Sequence, residues 1–435
     1  MTSPIPVPTG TDSTPRSRTD VQPPAVDRRG KLAFVPARFG PDIIGGAEIV
    51  LRHLALGLQD RGWDVEVLTT AALDYFTWKN ELPVGVAVED GLTVHRFEAV
   101  KSTAGRERDE IGMRMFGGEQ IPLAEQERWL NDDVRIPGLY QHLLTQGDQY
   151  RAIVFGPYLF WPSVACSQVH PTRSVLWTCL HDEPYAYQSI FKPVLSGVAG
   201  LFLQTEPEHQ LAHSIFPELA PHDVVGCGVE VPQEYRAERF RQKFGIQEPF
   251  LLYAGRREGA KGWDELLEMF AHSVIARGLP FHLVTMGAGE VRPPAAVADR
   301  VHDLGFLSEE DRNDAYAAAA AYVQPSRYEA FSRTIMESWL AETPVVGVGQ
   351  GGVVRYHIER SRAGIVYDDA FEFEEALVFL ARHPEAAEEL GRAGRRYVLD
   401  NYQWDDVLSR VEQSLCAWTP APGAVPAELR AEENV

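Results

Sequence analysis

From residue 31 onward, short apolar runs alternate with longer stretches whose apolar residues recur at helical spacing. "KLAFVPA" reads as a strand, followed by the Gly-containing loop "RFGPDIIGG". The helix "AEIVLRHLALGLQDRG" comes next, with Ile49, Val50, Leu54 and Leu58 on its apolar face and Gly62 as its stop. "VEVLTT", "AIVFGP", "SVLWTCL" and "GLFLQT" are apolar on both faces, as parallel strands covered by helices on each side must be. The stretch 101–135 is charged and less regular, and reads as an insertion or a mobile lid. After the polar joint "EVPQEYRAERFRQKFGIQEP" the pattern restarts. "FLLYAG", "FHLVTMG", "VHDLGF", "AYVQPS" and "PVVGVG" read as strands, and "GWDELLEMFAHSVIARG" and "SEEDRNDAYAAAA" as helices.

Two βα series joined near 229–248 predict an α/β chain of two facing Rossmann-like domains, each a doubly wound parallel sheet. The expected divisions are an N-terminal domain over 30–230, a C-terminal domain over 245–402 and a helix at 403–418 packing back on the first. The Pro/Ser/Thr-rich tail 1–29 and the stretch 419–435 are expected to be disordered. In such an architecture a ligand binds between the domains, at the carboxyl ends of strands.

Composition narrows the function. The 435 residues are 45% hydrophobic, and no run approaches the roughly 20 apolar residues of a membrane-spanning helix. A net charge of −21 disfavours nucleic acid as a partner, because that binding runs on lysine and arginine. Cys166, Cys179, Cys227 and Cys416 show no CxxC spacing, which suits buried thiols in a cytoplasmic protein.

Five segments carry candidate chemistry. In "YAGRREGAKGWDELL" a Gly-rich turn brings Arg256 and Lys261 to the start of a helix. Backbone N–H groups, the helix dipole and two cations there suit a phosphate or diphosphate; a loop with solvated charges is the plainer reading. "RFGPDIIGGAEIV" places Gly45 and Gly46 where backbone amides can approach a ligand, or where the chain simply turns tightly. "GVGQGG" at 347–352 half-matches a dinucleotide fingerprint but lacks the acidic residue about 20 positions on. "WTCLHDEPYAY" sets His181, Asp182 and Glu183 just after a buried strand, as ligand-facing or as mutually bonded structural residues. With no D-x-D pair and no second histidine suitably spaced for zinc, no metal site is expected. Finally, "SRYEAFSRTIMES" carries Glu329 and Glu337 eight residues apart, roughly 80° apart on a helix and too far for a tight acid pair. Ser332 is the expected N-cap, with Glu329 in the loop and Glu337 in the first turns.

Taken in order, these segments resemble the retaining glycosyltransferases of family 4, over residues 31 to 418. "PSRYEAFSRTIMESWLAETPVV" is similar to the family's signature block, and "YAGRREGAKG", "LHDE" and "VVGCGVEVP" fall where the family has theirs. "DYFTWKNELP" and "WTCLHDEPY" look like a subgroup that builds bacterial surface polysaccharides. The resemblance implies the B-type glycosyltransferase fold and a nucleoside-diphosphate sugar as co-substrate, with no other cofactor and no metal. Arg256 and Lys261 would neutralise the diphosphate, Glu337 would accept from the ribose hydroxyls, and Glu329 from hydroxyls of the transferred sugar. Backbone N–H groups of Phe331, Ser332 and Arg333 would approach the sugar or phosphate. Gly45 and Gly46 would close from the other domain, and His181 would lie by the donor sugar. The implied acceptor is a saccharide or lipid-linked saccharide, met in the cytoplasm or by peripheral contact at the inner membrane face. Tyr75, Trp78 and Asn80 stand as its candidate surface, with ordinary core packing as the rival reading. A nucleotide-sugar epimerase and a non-catalytic scaffold remain the alternatives of the same fold. Two departures from the pattern stand out: Glu342 replaces a helix-ending glycine, which puts the left-handed C-cap in doubt, and Cys227 replaces a common asparagine. Base, sugar, linkage and oligomeric state are not set by the sequence.

Overall fold

The structure, a computed structural model, describes residues 30–419 apart from 42, 44, 103 and 104. The tails expected over 1–29 and beyond Thr419 lie outside the described residues. Strands run in chain order as β1 (Lys31–Pro36), β2 (Asp64–Thr70), β3 (Gly85–Glu89), β4 (Leu92–Phe97), β5 (Val100–Lys101), β6 (Val134–Arg135), β7 (Tyr150–Gly156), β8 (Ser174–Trp177), β9 (Gly200–Leu203) and β10 (His222–Val224). The later series is β11 (Phe250–Ala254), β12 (His282–Met286), β13 (Val301–Asp303), β14 (Ala321–Gln324), β15 (Val345–Val348) and β16 (Gly364–Tyr367). Helices in the first half are α1 (Gly46–Asp60), α2 (Gly105–Phe116), α3 (Leu123–Asn131), α4 (Pro137–Gln146), α5 (Lys192–Gly197) and α6 (Glu206–Ile215). The second half adds α7 (Ala237–Phe244), α8 (Trp263–Ala276), α9 (Glu309–Ala318), α10 (Arg333–Leu340), α11 (Gly352–Ser361), α12 (Ala370–Arg382), α13 (Pro384–Asn401) and α14 (Trp404–Trp418).

The strands form two large sheets, ordered β10-β9-β8-β7-β1-β2-β4-β3 and β13-β12-β11-β14-β15-β16. The second is parallel throughout, and the first is parallel except for the β3–β4 hairpin at its edge. The reason these strands read as continuous apolar runs is visible at β1. Leu32 and Phe34 enter one core layer while Ala33 and Val35 enter the opposite one, so each face is buried under helices. At β11, Phe250 and Leu252 share the first layer with β1, whereas Leu251 and Tyr253 face a third. One core layer therefore runs through both halves, and it includes Leu408, Val411 and Leu415 of α14. That helix lies against the first sheet's side of the molecule: Arg61 donates to Glu412 at 2.6 Å, and Arg410 to the Val225 carbonyl at 2.8 Å.

Two expectations are corrected. The stretch 101–135 is not irregular: it carries α2 and α3 between the short paired strands β5 and β6, with Ile111, Met115, Trp129 and Leu130 buried. Charge on the outer faces hides that stripe, and Arg114 ties the two helices by pairing with Glu119 and Glu125 at 2.5 Å each. The antiparallel hairpin was unexpected too, although "VAVEDGLTV" carries the alternation and the Asp-Gly turn that make one. Asp90 and Gly91 take φ of 52° and 80°, as that turn requires.

Candidate active site

The carboxyl ends of β11 and β14 bring the Gly-rich turn and the Glu329 loop together. After β11 the chain turns through Gly255, and the two adjacent arginines part. Arg257 is buried: it donates to Thr285 Oγ1 at 3.0 Å and to the carbonyls of Gly287 and Gly289 at 2.8 and 2.9 Å, and it pairs with Asp303. Arg256 is half exposed and reaches across to the other half of the molecule, where it donates to the Tyr75 hydroxyl. Tyr75 also lies under Arg38, whose guanidinium is 4.8 Å from its ring, so a phenol sits between two cations. Arg38 is held in turn by Glu48 of α1 at 2.6 Å.

Lys261 follows at the end of a single 3₁₀ turn, and Gly262 then begins α8 with φ of 71°. A Cβ at Gly262 would stand 2.5 Å from the Pro325 carbonyl, so glycine is what lets the Lys261 turn press against the end of β14. Lys261 Nζ donates to Glu329 Oε1 at 2.9 Å and to the Tyr328 carbonyl at 3.3 Å. Glu329 lies in the loop and Glu337 in the second turn of α10, as read from the sequence. The two acids serve different partners. Glu337 accepts from the buried Tyr316 hydroxyl at 3.0 Å, and its charge holds the neighbouring Arg312 guanidinium above its ordinary value.

Ser332 stands at the N-cap position but not as a side-chain cap. Its φ is 62°, and its hydroxyl accepts from Gln324 Nε2 at 2.7 Å instead of bonding the first turn of α10. Phe331 is buried against His357, ring centroids 5.3 Å apart. Arg333 opens α10 and donates to the Gly228 carbonyl and to Glu230 Oε2, each at 3.1 Å. Burial opposes the charge on Arg333, yet Cys227, Glu337 and Glu230 together hold it above its ordinary value. Cys227 lies beneath that guanidinium, its Sγ 3.9 Å from Nη1, and burial pushes its thiol up to about 11. Glu230 gathers His53 at 2.7 Å and Trp404 at 2.9 Å as well. Although burial works against it, the His53 hydrogen bond and the Arg333 charge keep Glu230 well below the usual carboxylate range.

On the facing wall, Gly45 precedes α1 in extended backbone, and a Cβ there would fall 2.3 Å from Glu48 Oε2. A Cβ at Gly46 would meet only open space. His181 Nδ1 lies 3.7 Å from Glu183 Oε1, and that carboxylate also accepts from Tyr158 at 3.1 Å.

A model of the family described as "Glycosyl transferases group 1" matches residues 248–383. An uncharacterized glycosyltransferase of Methanocaldococcus jannaschii is 32% identical over 357 residues, 74% of this chain and 82% of that protein. The chain belongs to the glycosyltransferases. Mannosylfructose-phosphate synthase of Agrobacterium fabrum is 28% identical over 193 residues, covering 40% of this chain and 42% of that relative. The matched region thus spans less than half the length of that relative. Among solved structures, Anabaena HepE in complex with UDP and glucose superposes with a TM-score of 0.64 at 15% identity, covering 89% of this chain and all of that one. At that identity the likeness shows the two-domain B-type fold. This glycosyltransferase therefore has the fold its sequence predicts.

Of the residues singled out from sequence, the structure pairs Lys261 with Glu329 and Arg256 with Tyr75, and sets Arg333 against the loop holding Cys227 and Gly228. Trp78 is not at a surface for ligands, whereas Asn80 is exposed. Trp78 is buried edge-on against Phe160, and Asn80 exchanges hydrogen bonds with the Ala99 backbone at 2.9 and 3.0 Å. Sequence reasoning missed Thr205 and Glu208. Thr205 caps α6 and donates to the Ala330 carbonyl at 3.0 Å, which ties the first sheet's helix to the Glu329 loop. Glu208 is fully buried, accepting from Thr178, Leu180 N and Gln204 N at 2.5–2.7 Å, and so shapes the turn that carries His181. Burial pushes its carboxyl up against those three bonds. The Thr-x-x-Glu spacing before a helix was the legible signal for both. Sequence reasoning also missed a histidine pair: His209 and His213 stand one helical turn apart, and His222 joins them in space.

Proposed function

We propose that this protein transfers a sugar from a nucleoside-diphosphate sugar to a saccharide or lipid-linked acceptor, with retention of anomeric configuration and no metal in the transfer step. The observation that carries this reading is the Lys261–Glu329 pair at 2.9 Å, its lysine in the turn that follows the carboxyl end of β11 and also carries Arg256. A lysine held by a carboxylate that also has free lone pairs suits a donor with a diphosphate on one side and sugar hydroxyls on the other. The likeness in fold to Anabaena HepE, which is seen in complex with UDP and glucose, supports such a donor.

In this reading Arg256 and Lys261 hold the diphosphate, Glu329 accepts from hydroxyls of the transferred sugar, and Glu337 accepts from the ribose. Backbone N–H groups of Phe331, Ser332 and Arg333 contact the sugar or phosphate. Gly45 and Gly46 approach from the facing wall, where the open space at Gly46 admits a ligand, and His181 lies by the sugar. As the anomeric C–O bond breaks, its electron pair leaves with the diphosphate, and the two cations stabilise that charge. The acceptor oxygen bonds the anomeric carbon on the same face, and its proton passes to the departing phosphate oxygen. Residues 30–230 serve as the acceptor domain and 245–402 as the donor domain. Exposed Met113, Phe116 and Leu123 on α2 and α3 support peripheral contact with a membrane. Among the described residues no helix is long and apolar enough to cross one.

The test combines a donor panel with product analysis by mass spectrometry. Wild type should be stabilised by one nucleoside-diphosphate sugar and should glycosylate an acceptor with it. Lys261→Ala and Arg256→Ala should each lower turnover about 10²–10³-fold with an unchanged melting temperature. Near-normal turnover in Lys261→Ala refutes the site, and acceptor-free conversion of the donor replaces transfer with epimerisation.

A further inference from the structure

Helix α6 carries His209 and His213 one turn apart, and β10 begins beside them at His222. Their ring centroids are 4.6, 5.1 and 5.1 Å apart, and one donor atom from each ring lies within 4.8 Å of the others. Two of the rings are oriented by their far nitrogens. His209 Nδ1 meets Glu206 Oε1 at 3.3 Å, and His222 Nδ1 meets the Ala220 carbonyl at 2.9 Å. A carboxylate and a carbonyl only accept, so each neutral ring carries its proton on Nδ1 and presents Nε2 as a lone pair.

Those two lone pairs face one another at 3.2 Å. Two acceptors at that separation repel, and a cation between them converts the repulsion into ligation. The spacing also suits one metal: nitrogens bound at 2.0–2.1 Å in a tetrahedron are about 3.3 Å apart. His213 is exposed, so its ring is free to turn onto the same point. The carboxylate and carbonyl behind His209 and His222 are the outer partners that metal-binding imidazoles use to set tautomer and orientation.

We propose that His209, His213 and His222 bind a zinc-class divalent transition cation, with water at the fourth position. Imidazoles select such ions over magnesium and calcium, which take oxygen ligands. The ion would tie the crossover helix α6 to β10, a three-residue strand at the sheet edge. Both elements lead to contacts between the two halves: α6 starts at Thr205 against Ala330, and β10 runs into the loop whose Gly228 carbonyl Arg333 grips. The role is structural, stiffening that wall, and is separate from the transfer chemistry.

The experiment uses the full chain without an affinity tag, stripped with a chelator, dialysed and titrated with Zn²⁺ alone. One equivalent per chain should bind, the melting temperature should rise with Zn²⁺ concentration, and Mg²⁺ should do neither. His213→Gln and His222→Gln should abolish stoichiometric uptake, and Glu206→Gln should weaken it about tenfold. Co²⁺ in place of zinc should give the intense visible bands of a tetrahedral site. If the stripped chain takes up no equivalent of Zn²⁺, the two rings share a proton instead and the proposal fails. It fails equally if His213→Gln binds as wild type does. That variant alters an exposed side chain, so it decides the matter even where His222→Gln does not fold.

Discussion

At the scale of single residues, burial decides which charges exist. His357 is fully buried beneath Phe331, its Nδ1 3.0 Å from the Tyr397 hydroxyl, and burial pushes its pKa from 6.5 down to about 3. The folded protein keeps this ring neutral where an unfolded chain would protonate it. Its contribution to stability is therefore complete above pH 6.5 and is lost as the pH falls from 6.5 toward 3. Melting temperatures measured across that window should fall less steeply in His357→Gln than in wild type, and parallel slopes would remove His357 from the acid response. Arg256 and Arg257 make the same point about geometry. Adjacent in sequence and identical in chemistry, one reaches across to Tyr75 and the other is spent on Asp303 and three backbone and side-chain oxygens.

At the scale of elements, α10 corrects the doubt that Glu342 raised. The left-handed cap is kept: Glu342 adopts φ of 60°, its N–H bonds the Trp339 carbonyl at 2.9 Å, and the Thr343 N–H bonds the Ser338 carbonyl at 3.0 Å. That pair is a Schellman motif with glutamate in glycine's place. A Cβ in that conformation costs roughly 1–2 kcal/mol, part of which glycine would return as entropy of the unfolded chain. Glu342→Gly should therefore stabilise the protein by roughly 0.5–1 kcal/mol in denaturant titration, and destabilisation would show that the Glu342 side chain matters more than its backbone. The helix's other end was half legible. The position of Ser332 followed from the pattern, but Gln324 takes its hydroxyl, a side chain eight residues away on β14.

At the scale of the whole molecule, the two sheets are fastened by a few long-range polar contacts over one shared core. Arg333 joins Gly228 and Glu230, Glu230 gathers His53 and Trp404, and Thr205 reaches Ala330. Arg333→Met keeps the stem but removes the charged donor to the Gly228 carbonyl, leaving it only the weak Cys227 thiol. The expected loss is about 2 kcal/mol by chemical denaturation, the usual range for hydrogen bonds to a charged group. Faster amide exchange should appear at 226–230 and 328–333 together; exchange confined to one segment would mean that Arg333 does not couple the halves.

The sequence by itself determined the two successive βα series, the parallel pairing of their central strands and the glycine turns that carry Arg256 and Lys261, though not α2, α3 or the β3–β4 hairpin. These follow from side-chain period and backbone preference over a few neighbouring residues. Only the tertiary structure decided that Arg256 rather than Arg257 reaches Tyr75, that Trp78 is core, that Glu329 pairs with Lys261 while Glu337 meets Tyr316, and that His222 joins His209 and His213. Each of these pairings depends on the register of parallel strands and the path of crossover helices. No local preference encodes which distant side chain the fold will set opposite.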